Sequence, residues 1–383
     1  MGVQEIFAKE HRSVRVLKIV KGVFMVVLHI ARVDENRASG VSVVVPQHIR
    51  AQSAFATVAF LNLADHCPEG VDNFFTYQKP FLLDELTPPF NKPDIVIFHE
   101  VYRPSFIAIS RILRREGIPY IVVPHGSLTQ EAQSMKWIKK KVANFLVFNR
   151  FVNCAAAVQC LSEKEMNTSN VKAAKFIGTN GCCVPEQQKL GFGEGKIRFS
   201  YVGRLDAFHK GLDLMLDAFK MLVSTPYAKK CELNIYGPDY QGRYARLEGM
   251  IAERGLGEFV TLHPAVFGKE KESVLLGTDV FVQTSRFEGM PMGILEALAY
   301  GLPCLITKGT TLGDSVEKYD AGWVAETNVQ SVFECLVRAI EGKENFWGKS
   351  LGALALINEN FVWDKIADNA VKAYQKFSGT GEE

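Results

Sequence analysis

Glu288 and Glu296 bracket the stretch EGMPMGILE, and upstream Arg204 and Lys210 stand in GRLDAFHKG (203–211). Carboxylates accept hydrogen bonds, a guanidinium offers a planar fork of donors, and an ammonium is a compact positive charge. Pro291 suits a first helical position, Gly301 the residue just past a helix end, and Pro303 the start of a strand. A helix is therefore expected over residues 291–300. Its free N–H groups, with those of the Gly289–Met290 turn, suit an anion such as a phosphate. Carboxylates touching that anion would repel it, whereas carboxylates to either side would accept hydrogen bonds from hydroxyls. A diphosphate flanked by two sugars has this order of groups. Arg204 and Lys210 alone would be most simply two solvated cations, but beside the acidic loop they can neutralise a leaving diphosphate without a metal. No Asp-x-Asp, the simplest acidic holder of a divalent ion, occurs in the chain.

These side chains need rigid elements behind them. Apolar runs alternate with helical patterns throughout, which predicts parallel α/β architecture. The first half carries runs at 26–31, 56–61, 94–99, 120–125 and 156–161, and the second half at 198–203, 233–237, 259–264, 279–285 and 303–307. Residues 182–197, rich in Gly, Pro and Gln without periodicity, mark a boundary. The expected organisation is a first domain over 1–185, a second over 186–360, and a C-terminal helix and tail over 361–383 that can pack back on the first domain. Residues before about 25 read as an extension outside the fold. Two such halves leave a cleft at the carboxyl ends of their sheets, where open α/β folds bind ligands.

The totals agree with this plan. A chain of 383 residues exceeds one ordinary core, and 47% hydrophobic with 22% charged residues excludes disordered and collagen-like classes. A net charge of +2 gives no basic excess for nucleic acid. Eight scattered cysteines without a C-x-x-C pair suit reduced thiols in a cytosol rather than zinc ligation. No segment has the length of continuous apolar residues that a membrane span needs. GFGEGK (191–196) precedes a strand instead of following one, and GKENFWGKS (342–350) has the wrong glycine spacing, so neither is a nucleotide loop.

The set of motifs, in this order, resembles the retaining GT-B glycosyltransferases of family 4, the glycosyl transferases group 1. The resemblance rests on EGMPMGILE (288–296) followed by ALAYGLP (297–303), on GRLDAFHKG, PHGS (124–127), LSEKE (161–165) and TNG (179–181), and it spans about residues 26 to 377. It implies two Rossmann-like domains facing across a cleft and a hexosyltransferase that needs no metal or cofactor. A nucleotide sugar would be the donor, with a UDP-sugar favoured over a GDP-sugar. By the same resemblance Arg204 and Lys210 contact the donor diphosphate, Glu288 with Gly289 and Met290 binds the transferred sugar, and Glu296 binds the ribose. His125 would face the donor sugar as a catalytic group together with Glu288. Pro124 and Gly126 aim it at the cleft, although a loop-bracing histidine is the plainer alternative. Many members carry a Gly-Gly loop after the first strand; here NRASGVS (36–42) holds only Gly40, which is expected to bring backbone amides to a phosphate.

The acceptor side carries weaker signals. His99, Glu100 and Arg103 in FHEVYRP (98–104) either line the acceptor cleft or form a satisfied polar turn. In MKWIKKKVANFLVFNRF (135–151), Trp137, Ile138, Val142, Phe145 and Leu146 recur at helical spacing beside Lys136, Lys139, Lys140 and Lys141. Such a helix either lies on an anionic membrane or packs its apolar face inward. A lipid-linked acceptor would favour the first reading. The acceptor is expected to be a glycan or lipid-linked glycan, and the location cytoplasmic, with peripheral contact at the inner face of the plasma membrane under that first reading. Two other functions fit parts of the pattern. A glycoside hydrolase would use Glu288 and Glu296 as acid and base, but it has no need of Arg204 and Lys210. A non-catalytic sugar-nucleotide-binding subunit would keep the fold and could lose the chemistry.

Overall fold

A computed structural model describes residues 25–35, 39–130, 148–189 and 191–379. The proposed N-terminal extension and nearly all of the basic stretch 135–151 lie outside the described residues, as do Asn36, Arg37 and Ala38.

The described chain forms two parallel sheets. The first holds β1 (Val26–Ala31), β2 (Thr57–Asn62), β3 (Phe74–Thr76), β4 (Ile95–His99), β5 (Tyr120–Val123), β6 (Ala157–Cys160) and β7 (Ala174–Ile177) in the order β3-β2-β1-β4-β5-β6-β7. The second holds β8 (Ile197–Val202), β9 (Cys231–Tyr236), β10 (Val260–His263), β11 (Val280–Gln283), β12 (Cys304–Thr307) and β13 (Gly322–Ala325) in the order β10-β9-β8-β11-β12-β13. Central strands such as β4, β5, β11 and β12 are buried along their whole length. Helices cover both faces, so these strands read as continuous apolar runs. The edge strands β3 and β7 are short and only partly covered.

Strand order reverses between β1 and β4 in the first sheet and between β8 and β11 in the second. A crevice opens beyond the carboxyl ends of the strands at each reversal. The turns that follow β8 and β11 carry Arg204, Lys210 and Glu288, so the topology itself delivers these side chains to one place. Gly211, at φ +63°, leads into the Leu212–Val223 helix; a Cβ there would stand 1.9 Å from the Thr284 carbonyl oxygen. The turns after β8 and β11 are thus packed backbone to backbone, and only glycine fits between them.

The Trp363–Gln375 helix packs on the first sheet's side of the molecule. Ala370, Val371 and Tyr374 share a core with Val45 and Ile49 of the Gly40–Gln52 helix. Phe361, a few residues earlier, belongs to a core of the second sheet, and its carbonyl accepts the Cys182 N–H at 2.6 Å. The chain therefore crosses between the sheets near both residues, and Met290 packs against a core of each.

Candidate functional site

A cleft of ≈ 1010 Å³ lies between the two sheets, lined from one side by Gly40, His125 and Gly126 and from the other by Arg204, Lys210 and Glu288. The helix after β11 runs Met292–Ala299, one residue shorter at each end than its sequence signals suggest. Pro291 is its N-cap and no side chain caps it. Its first residues, Met292 and Gly293, line the cleft. The N–H groups there have no intrahelical partner, and the helix dipole places partial positive charge at this end.

Glu288 sits in the turn between β11 and this helix and is held from several directions. Its carboxylate oxygen Oε1 accepts from the Ser285 hydroxyl at 2.9 Å and pairs with the Lys210 ammonium. Gln283 donates to the same oxygen at 3.4 Å, and the Glu288 N–H donates to the Gly309 carbonyl at 2.9 Å. The side chains of Lys210 and Glu288 are 13% and 9% exposed, so the pair is largely withdrawn from water. An ion pair at that depth depends on having both partners. Arg204 is different: its side chain is exposed, borders the cleft, and has no hydrogen bond or ion pair among the described residues. Glu296, on the helix, pairs with Lys271 of the Gly268–Gly277 helix. Lys271, Tyr236 and Val266 extend the cleft beyond Glu296. None of these three stood out in the sequence. Lys271 is one cation of a charged helical run, and its pairing with Glu296 crosses between elements.

On the facing side, β5 ends in a turn with His125 at φ +51° and Gly126 at φ +80°. A left-handed conformation is strained for a non-glycine residue and persists only where surroundings fix it. Glu165 does much of that fixing. It is fully buried, and it accepts from the Gly126 N–H at 2.6 Å and the Leu161 N–H at 2.7 Å. Burial raises its carboxyl above the ordinary value, and the two backbone amides pull it back down. A Cβ added to Gly289 would meet the Gly126 Cα at 3.2 Å, so the two glycines are what allow the loops of opposite domains to touch. Gly40 begins the Gly40–Gln52 helix, capped by Ser39, with open space beside it.

The three residues considered for the acceptor side do not line the cleft. Glu100 pairs with Arg103 at 2.7 Å, forming a satisfied polar turn. His99, 1% exposed, lies behind His125 as the middle member of a histidine stack. Its Nδ1 meets His125 Nε2 at 3.0 Å and its Nε2 meets His29 Nδ1 at 2.9 Å. His48 lies beside the stack, its Nε2 at 3.0 Å from Asn180 Oδ1. The readable signal was His29 itself, a histidine inside the buried run VVLHIA.

Burial pushes all four imidazoles below the ordinary 6.5: His29 to about 3, His48 to about 4, His125 to about 3, and His99 well below. Repulsion from neighbouring imidazoles adds to the effect for His29, His99 and His125. The unfolded chain therefore binds protons that the folded chain refuses. The stability is complete above pH 6.5 and is lost as pH falls from about 6.5 towards about 4 for His48 and towards about 3 for His29 and His125. We expect the unfolding free energy to drop across that window by about 1.4 kcal/mol per pH unit for each histidine that stays neutral, and the Tm to fall with it. A thermal melt series that is flat from pH 7 to pH 5 would contradict a neutral buried stack.

Residues 185–345 match the family of glycosyl transferases group 1. The chain is 30% identical over 125 residues to a mannosylfructose-phosphate synthase of Agrobacterium fabrum, an alignment covering 32% of this chain and 27% of that protein. It is 27% identical over 278 residues to the amylovoran biosynthesis glycosyltransferase AmsK of Erwinia amylovora, covering 70% of this chain and 66% of that one. The alignments with the first two curated relatives span less than half of those proteins' length. Among solved structures it is similar to Anabaena Alr3699/HepE in complex with UDP and glucose, with a TM-score of 0.69 at 15% identity, over 92% of this chain and 100% of that one. The two facing parallel-sheet domains are the GT-B arrangement.

Proposed function

We propose that this chain is a glycosyltransferase that moves a sugar from a nucleotide-diphosphate donor, a UDP-sugar before a GDP-sugar, to a glycan or lipid-linked acceptor in surface polysaccharide or glycolipid synthesis. One observation carries the reading. A helix N-terminus with no side-chain cap, the exposed Arg204 and the Lys210–Glu288 pair meet in a single interdomain cleft. The site offers Arg204, Lys210 and a helix N-terminus for a diphosphate and, beside them, carboxylates for hydroxyls. The similarity to Anabaena Alr3699/HepE, solved in complex with UDP and glucose, supports the donor class, and the likeness to AmsK supports a polysaccharide product.

In this reading Arg204, Lys210 and the amides of Met292 and Gly293 receive the diphosphate, with Gly40 approaching it from the opposite domain. Glu288, with the backbone at Gly289 and Met290, binds hydroxyls of the transferred sugar, and Glu296 those of the ribose. Cleavage of the sugar–phosphate bond places negative charge on the leaving diphosphate, and donors fixed in advance stabilise it most effectively. Arg204 and Lys210 would take the part that a divalent cation plays elsewhere. Attack then comes from the face the phosphate leaves, with a phosphate oxygen receiving the acceptor's proton, so the configuration is retained. Glu288 is held by lysine, serine and glutamine donors, which suits a binding group better than a nucleophile.

The direct test is a calorimetric titration of the protein with UDP, GDP, ADP and NAD in chelator. Saturable binding of one nucleoside diphosphate is expected. Binding of none of them, or a strict requirement for added metal, would overturn the assignment.

A further inference from the structure

The histidine stack behind His125 continues through the molecule to the last helix. His29 Nε2 meets Gln52 Oε1 at 2.9 Å, Gln52 Nε2 donates to the Tyr374 hydroxyl at 3.4 Å, and that hydroxyl donates to Gln159 Oε1 at 2.8 Å. Gln159 Nε2 donates to the Gly178 carbonyl at 2.8 Å. Apart from His125, every side chain in this line is at most 1% exposed.

The line has only one polarity that satisfies every member. A backbone carbonyl only accepts, so Gln159 must present its NH₂ group to Gly178 and its oxygen to Tyr374. The Tyr374 hydroxyl then spends its proton on Gln159 and must accept from Gln52. Gln52 is left with its oxygen facing His29, which must donate from Nε2. A neutral His29 then has a bare Nδ1, which accepts from Nε2–H of His99, and the bare Nδ1 of His99 accepts from Nε2–H of His125. Every proton position follows from the carbonyl at the far end. Gly178 is itself part of the device, because a Cβ there would stand 2.7 Å from the Gln159 amide. His125 thus keeps a lone pair on Nδ1. That nitrogen has no partner among the described residues, and His125 borders the cleft.

We propose that Gly178, Gln159, Tyr374, Gln52, His29 and His99 are positioning residues that hold His125 as the Nε2–H tautomer, so that its Nδ1 accepts a hydrogen bond from a hydroxyl of the bound sugar. Only the identity of that hydroxyl rests on the transferase reading. The sense of the dipole matters to the reaction. Breaking a sugar–phosphate bond builds positive charge on the sugar ring, and a lone pair directed at it is favourable where an N–H would oppose it. The alternative tautomer would turn an N–H to the same place.

Long-range ¹H–¹⁵N spectra of protein labelled in its histidines, with no nucleotide added, read the tautomer directly. His29, His99 and His125 should each show Nδ1 as the unprotonated nitrogen, with the His125 signals identified by their loss in His125→Asn. Tyr374→Phe cuts the line without changing the ring that packs in the core. The His125 nitrogens should then shift towards each other as the second tautomer becomes populated. Gly178→Ala, which displaces Gln159 from the far end, should do the same and serves if Tyr374→Phe fails to fold. A proton on Nδ1 of His125 in the unaltered protein overturns the proposal, and so do unchanged His125 resonances in a folded Tyr374→Phe variant. Failure of the transferase reading would show separately, as absent UDP and GDP binding with the tautomer unaffected.

Discussion

Glu288→Gln will cut sugar transfer by about 100-fold while leaving the affinity for the nucleoside diphosphate unchanged or improved. The first half follows from what the carboxylate offers: hydrogen bonds from sugar hydroxyls to a charged acceptor are worth ~1.5–3 kcal/mol, and the upper end of that range is about two decades in rate. The amide fills the same space but carries no charge. The second half follows from Lys210, whose ammonium is paired with Glu288 in the structure. Removing that counter-charge frees Lys210 to pair with the incoming diphosphate. A purely structural role for Glu288 predicts something else, because Ser285 and Gln283 also bond this carboxylate and the turn would loosen. Turnover and nucleotide affinity would then fall together, along with the Tm. Initial rates, a UDP titration and a melt on one preparation separate these outcomes. Full transfer activity in Glu288→Gln would remove this residue from the sugar site.

The contrast between Glu288 and His99 shows what the sequence could carry. Glu288, Arg204 and Lys210 lie in turns at the carboxyl ends of strands, beside a helix whose limits are written in Pro291 and Gly301. Their convergence follows from local signals plus the rule that parallel strands end at a common crevice. His99 lies at the end of β4 by the same reading, which places it with Glu100 and Arg103 either at the cleft or in a polar turn. The structure turns it inward, because a central parallel strand is buried on both faces to its last residue. Its partners His29 and His125 are 70 and 26 residues away, so no local pattern announces them. The same limit hid Lys271 as the partner of Glu296. It also hid Glu165 as the brace of Gly126, although LSEKE was among the motifs recognised. The strands without a readable signal were β3, β7 and β13. Two are short edges with incomplete burial, and β13 opens on Gly322, which breaks the apolar run. The pattern of apolar runs reports burial, so it is faintest where burial is least.

Arg204→Ala with Lys210→Ala will weaken nucleoside diphosphate binding by at least about 100-fold, and the two positions will contribute unequally. Each removes a charge-assisted contact of ~1.5–3 kcal/mol, so the pair together exceeds two decades even at the low end. Arg204 is exposed and has no ion pair among the described residues, so its loss costs that contact and little else. Lys210 also neutralises Glu288, whose side chain is only 9% exposed. Without Lys210 that carboxylate is left uncompensated at the edge of the anion site, where it repels the diphosphate and destabilises its own turn. Lys210→Ala alone should therefore weaken binding more than Arg204→Ala alone, with a lower Tm as well. Adding Glu288→Gln to Lys210→Ala should restore part of the lost affinity, because it removes the stranded charge. Added to Arg204→Ala, Glu288→Gln should do no more than it does in the unaltered protein, because Lys210 is still there to neutralise that carboxylate. Calorimetry of UDP binding across both cycles measures the coupling. Equal losses at the two positions, with no coupling between Lys210 and Glu288, would mean that the ion pair does not border the diphosphate and that the anion must sit elsewhere in the cleft.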